Sequence, residues 1–192
     1  MHDAENAKGR PCMDFRTVDP GSIVWKRGGK AGAVIAVPKI SVQTPTCACT
    51  ISVHTAGMLR VDLKLGNRDI HRRFIEWIAA IEAGVRGADD ADDELGLGDA
   101  AMSSSVYAGN FKAMAFSDTL MFDDTGDVSS DATGAKRCAA LVDLVGLWTT
   151  PTAWGLRWKL TQLKFSETPL HEECVFMSDT ASDTTSGNES DD

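Results

Sequence analysis

The segment from Cys138 to Phe165, CAALVDLVGLWTTPTAWGLRWKLTQLKF, limits what the chain can fold into more than any other. Leu141, Val142, Leu144, Val145 and Leu147 place apolar side chains on both alternating faces, the pattern of a strand buried on two sides. Thr149-Thr150-Pro151-Thr152 then supplies turn chemistry, because proline fixes its φ and brings no N–H to a ladder. The return from Trp154 to Phe165 alternates, with Leu156, Trp158 and Leu160 on one face and Arg157, Lys159 and Thr161 on the other. Past Thr161 the alternation inverts, so Gln162 and Lys164 take the former apolar face and Leu163 and Phe165 the polar one. A bulge, or a change of packing partner, accounts for such an inversion. The segment predicts a buried hairpin carrying a basic ridge flanked by tryptophans.

The remaining elements read as strands around one helix. Ser22 to Trp25 opens a first strand, and Lys26 to Lys30 forms a basic, glycine-bearing turn. Gly32 to Thr44 is β-patterned, with Pro38 favouring an edge or a bulge. Thr50–His54 and Met58–Leu65 pair as a hairpin in which Leu59, Val61, Leu63 and Leu65 oppose Arg60, Asp62 and Lys64. From Arg68 to about Arg86 the period turns helical, with Ile70, Phe74, Trp77, Ile78, Ile81 and Val85 in one stripe. Arg68, Arg72 and Arg73 crowd the first turns of that helix, against the preference set by its dipole. Val106 to Phe122 is again β-like, and Glu173 to Met177 is a candidate edge strand. Six or seven strands with one interposed helix fit a small antiparallel β-barrel of the oligonucleotide-binding type, with a β-sandwich as the rival. The expected organisation is a flexible arm over residues 1–20, one domain over 21–177 with an acidic loop at 87–104, and a disordered acidic tail over 178–192.

Charge bears on function once it is divided. The chain carries 28 acids against 19 Lys and Arg, a net of −9. Six acids lie between Asp89 and Asp99 and eight more after Phe165, with no base in either stretch. Setting those 14 aside leaves 14 acids against all 19 bases, a body of +5. The N-terminus is charged rather than apolar, so a secretory signal is not expected, and no apolar run reaches the ~18 residues of a membrane span. Five cysteines without framework spacing point to reduced thiols in an intracellular, soluble protein.

Catalytic patterns are missing. The four histidines are scattered, no Cys-x-x-Cys or His-x-x-x-His occurs, and Gly28-Gly29-Lys30 lacks the rest of a phosphate loop. No enzyme, metal or cofactor is expected. Cations interleaved with flat rings are the positive signal: Trp25, Lys26, Arg27 and Lys30 at one turn, Arg60 and Lys64 on one strand face, Tyr107, Phe111 and Lys112 on another strand, and Trp154, Arg157 and Lys159 on the return strand. Proteins that hold single strands without sequence preference need these two residue types, cations for phosphates and rings for bases. In this reading Trp25, Tyr107, Phe111 and Trp154 stack bases, while Trp77 and Trp158 belong to the core. The acidic tail, with Asp179, Asp183, Glu189, Asp191 and Asp192, can occupy such a cationic groove when DNA is absent and recruit basic partners when it is present.

Four pieces in order carry a resemblance: Val37-Pro38-Lys39-Ile40-Ser41-Val42-Gln43-Thr44-Pro45, the helix between strands over 68–85, the hairpin over 144–164, and the acidic tail. Together they resemble the phage-type single-stranded DNA-binding proteins, in particular relatives carried by large eukaryotic DNA viruses. The resemblance implies an oligonucleotide-binding barrel, sequence-independent binding of single-stranded DNA, no cofactor, and a role in viral DNA replication and recombination inside the host cell. It also implies replication proteins as partners of the tail, and a homodimer, since members often dimerise. The tail here ends Glu189-Ser190-Asp191-Asp192, without the terminal aromatic of phage members. The alternative from another class is a virion or assembly protein whose β domain packs against copies of itself through the same aromatic patches.

Overall fold

The computed structural model describes residues 12–28, 33–55, 58–86, 95, 97–132 and 134–168. Ten strands and one helix run in the order β1 (Val24–Arg27), β2 (Val34–Val37), β3 (Ile40–Gln43), β4 (Cys47–Thr55), β5 (Met58–Lys64), α1 (Asp69–Arg86), β6 (Ala101–Met102), β7 (Val106–Tyr107), β8 (Asn110–Phe122), β9 (Arg137–Thr149) and β10 (Ala153–Ser166). The expected β segment over 32–44 holds two strands, parted at Pro38, which has no N–H for a ladder. The expected edge strand at 173–177 and the acidic tail lie outside the described residues.

Five strands close a barrel. β4, β5 and β8 pair antiparallel in sequence, and β8 lies parallel to β10. β10 turns back antiparallel on β9, and β9 meets β4 through Cys47↔Cys138 and Ala48↔Arg137. This closed, mainly β architecture with one helix is of the oligonucleotide-binding type, and closure excludes the sandwich. β3 extends the sheet beyond β9, while β1 and β2 form a separate two-stranded sheet.

Alternation along the strands fills the interior. Val61, Leu63, Phe111, Val142, Leu144, Leu160 and Leu163 are fully buried. The helical stripe meets them: Phe74 packs edge-on to Phe111 at 5.4 Å, and Trp77 lies 6.0 Å from Trp158. Burying each such ring contributes about 1.5–3 kcal/mol. The helix start is fixed by His71, whose Nδ1 accepts from the Gly66 N–H at 2.8 Å and whose Nε2 donates to the Thr46 carbonyl at 3.1 Å. Arg72 and Arg73 both pair with Asp69 in the first turn, which offsets their placement near the positive end of the helix.

The arm expected over residues 1–20 differs from its described part. Met13 bridges to Val42, and Phe15 is buried 5.1 Å from Phe74, so residues 13–15 belong to the packed body. At the barrel seam Cys47, Cys49 and Cys138 are buried free thiols. Burial pushes the Cys47 thiol up to about 12, and the hydrogen bond between Cys138 and Cys49, then burial, pushes the Cys138 thiol up as well.

The long hairpin has two register slips. One falls between Leu160 and Gln162, where the sequence alternation inverts; the other falls between Arg157 and Trp158. The second leaves Gly146 opposite Arg157. A Cβ at Gly146 would lie 2.0 Å from the Val34 carbonyl oxygen, so β2 sits against bare backbone there.

Candidate nucleic-acid interface

The parallel partnership of β8 and β10 is partial. β10 pairs with β8 from Lys159↔Met114 to Lys164↔Phe122, and with β6 through Ala153↔Ala101 and Trp154↔Met102. Between those two contacts β10 is free of β8, and a groove of about 540 Å³ opens there. Met58, Met114, Phe116, Val145 and Trp148 give it apolar walls, and His54, Ser103, Ser104, Lys112, Arg157 and Lys159 give it polar ones.

Register decides which cations share this face. Lys112, Met114 and Phe116 alternate with the buried Phe111, Ala113 and Ala115, so they point outward from β8. Met114 is flanked by Arg60 on one side and by Lys159 on the other, and Asp62 is the partner of Lys112. Arg60, Lys112, Arg157 and Lys159, separate in sequence, thus converge on one outward surface. Tyr107, 72% exposed, joins them because Lys112 Nζ lies 5.5 Å from its ring centroid.

The neighbouring acids hold two of these cations loosely. Lys159 Nζ lies 2.5 Å from Asp118, and its hydrogen bond keeps the Asp118 carboxyl below the usual carboxylate range. Arg60 pairs with Asp62 at 3.0 Å. The Lys159–Asp118 pair lies at the surface and the Arg60–Asp62 pair is half-buried; surface pairs are worth about 0–1 kcal/mol, so a competing anion displaces the first at small cost. Among the described residues neither Lys112 nor Arg157 forms an ion pair.

Other expected site residues lie elsewhere. Trp25, Lys26 and Arg27 are on β1, whose partner β2 is pressed against Gly146; Arg27 donates to the Leu95 carbonyl at 3.0 Å. Lys64 points outward at the far end of β5, opposite Asn110. Lys30 and the tail residues Asp179, Asp183, Glu189, Asp191 and Asp192 lie outside the described residues. Two assignments are corrected. Phe111 is 0% exposed and Trp154 2%, so both rings belong to the core and neither faces the groove. Phe111 has the parity of Ala113 and Ala115, and Trp154 that of Leu156, Trp158 and Leu160, all of which point inward. Trp77 and Trp158 are buried as expected.

The sequence reading missed His54, Met58, Trp148 and the serines as groove residues. Met114 and Phe116 share the parity of Lys112, a signal present in the sequence. The serine wall is held by a buried carboxylate on α1: Glu82 accepts from the Ser105 N–H at 2.6 Å and from the Ser104 hydroxyl at 2.9 Å. Trp158 Nε1 donates to the Ser105 hydroxyl at 3.0 Å, joining helix, wall and barrel interior. Among the described residues no group of three or more His, Cys, Asp or Glu side chains could hold a metal ion, and no helix is long and apolar enough to cross a membrane.

No protein-family model matches the sequence, and neither does any curated protein. Among solved structures the fold is similar to that of gp2.5, a single-stranded DNA binding protein encoded by bacteriophage T7. The two agree with a TM-score of 0.50 at 15% identity, over 69% of this chain and 89% of that one. At that identity the likeness is one of fold.

Proposed function

We propose that this protein binds single-stranded DNA without reading its sequence, and that it coats strands exposed during viral DNA replication and recombination in the host cell. The observation that carries the reading is the convergence of Arg60, Lys112, Arg157 and Lys159 around an apolar groove on the outer face of an oligonucleotide-binding barrel. Such barrels take oligonucleotides on the face of their second and third strands, between the loops joining strands one and two and strands four and five. Here those are β5 and β8, with His54 and Met58 beside one loop and Trp148 beside the other. Cations supply affinity through phosphates, and apolar walls accept bases of any identity. The likeness to a phage single-stranded DNA binding protein supports the same class of ligand. Lys26, Arg27 and Lys30 would extend the cationic track beyond the groove, with Trp25 and Tyr107 as further rings at its margins.

In this reading the tail, through Asp179, Asp183, Glu189, Asp191 and Asp192, competes with DNA for the cations and recruits basic replication proteins once displaced. Deleting residues 178–192 then tightens DNA binding, and unchanged affinity would remove the competitor. A homodimer is the expected assembly, checked by sedimentation.

Fluorescence anisotropy with a labelled dT oligomer tests the central claim. Four phosphate contacts give a log–log salt slope near −3, at about 0.7 per phosphate for single strands, and duplex DNA binds more weakly. Salt-independent binding, or equal affinity for duplex, contradicts it. A protein that self-associates and leaves the oligomer unbound is instead the assembly protein.

A further inference from the structure

We propose that Trp148 is the ring on which a DNA base stacks in this groove, and that Gly155 is required to set the plane of that ring. This deepens the DNA-binding reading above and rests on it. Of the five tryptophans, Trp77, Trp154 and Trp158 are buried, and Trp25 stands on the β1–β2 sheet outside the groove walls. Trp158 also borders the groove but is 4% exposed, so Trp148 is the half-buried tryptophan among the groove walls.

Its position follows from the sheet. Trp148 and Gly155 are cross-strand partners next to the turn of the β9–β10 hairpin. A Cβ on Gly155 would lie 2.8 Å from both Cε2 and Cζ2 of the indole, and 2.6 Å from the Ser103 carbonyl oxygen. Real Cβ contacts are not that short, so no side chain fits there while the ring keeps its place. The indole rests directly on backbone, an arrangement that covers a glycine in a strand with a neighbouring aromatic. Part of the ring's rotamer freedom is therefore already lost before a ligand arrives, and stacking incurs little further ordering cost.

The surroundings select the ligand. Arg157 is the next outward residue on β10 after Gly155, and it brings a guanidinium to the same side as the indole. Met114, Phe116 and Val145 complete an apolar slot. A flat, uncharged base with a phosphate one bond system away matches an indole beside a guanidinium. Every base has a π-face, so the site discriminates against duplex, whose bases are already stacked, and not among sequences.

The test uses the full chain, a labelled dT oligomer and three variants. Binding of dT quenches tryptophan emission in the wild type, and the quench is largely lost in Trp148→Phe, which keeps affinity within about threefold. Trp148→Leu weakens binding about tenfold with an unchanged salt slope, because stacking goes and phosphate contacts remain. Gly155→Ala weakens binding by a similar factor through displacement of the ring. Retained quenching in Trp148→Phe together with wild-type affinity in Trp148→Leu overturns the assignment while leaving the DNA-binding reading intact. Failure of the wild type to bind the oligomer overturns both.

Discussion

Below Lys159 the β9–β10 hairpin is hemmed in, with β8 alongside β10, and β3 and then the seam to β4 alongside β9. Above Lys159 the same hairpin loses β8, gains only the two residues of β6, and presents the groove. Both halves carry alternating apolar residues, and their local sequence preferences are alike. The difference lies in neighbours: a strand flanked on both sides spends its backbone on ladders, whereas one that parts from its neighbour leaves an open cleft. Stability and the proposed DNA binding thereby fall to different lengths of one hairpin.

That assignment can be broken by substitution. The largest effect belongs to the closed half: Leu163→Ala, at a fully buried position, should cost about 2–5 kcal/mol in urea unfolding through lost burial and the cavity left behind. In the open half, Arg157→Glu should weaken dT binding by ten- to thirtyfold while shifting stability by no more than about 0.5 kcal/mol, as expected for an exposed side chain. Lys164→Glu, outward on the closed half, should change binding less than about threefold. Equal binding losses at 157 and 164 would erase the distinction between the halves.

Alkaline unfolding sharpens the picture at the seam. The Cys47 thiol titrates near 12 when folded and in the ordinary thiol range when unfolded, so the unfolded chain loses this proton first. Stability present at neutral pH is then lost as pH rises through that window, at about 1.4 kcal/mol per pH unit for one group. Cys47→Ala should flatten this limb of the stability profile. The smallest effect concerns the cation held by Asp118. Asp118→Asn should release Lys159 and tighten dT binding two- to threefold, with a slightly steeper salt slope.

Much of this arrangement was legible in the chain, for reasons particular residues make plain. The helix announced itself through Phe74, Ile78, Ile81 and Val85, and the bulge after Leu160 through the inversion at Thr161. Trp154 and Phe111 were misassigned although their parity with Leu156 and Ala113 was readable, because cations beside them suggested a surface. Trp148 was hidden for a different reason. The slip opposite Gly146 shifts the alternation of β9, and a glycine has no side chain to advertise the shift. Phe15 was missed because a lone aromatic in irregular backbone has no period, and only the tertiary partners Phe74 and Trp77 define its place.

Glu82 ties the helix directly to the wall of the groove. One carboxylate grips two successive serines of the groove wall, and the second of them grips the indole of Trp158. Any widening of the cleft that moves the serine wall therefore strains contacts reaching α1, and a fluorescent probe on the exposed side of that helix is expected to report such a movement from a distance.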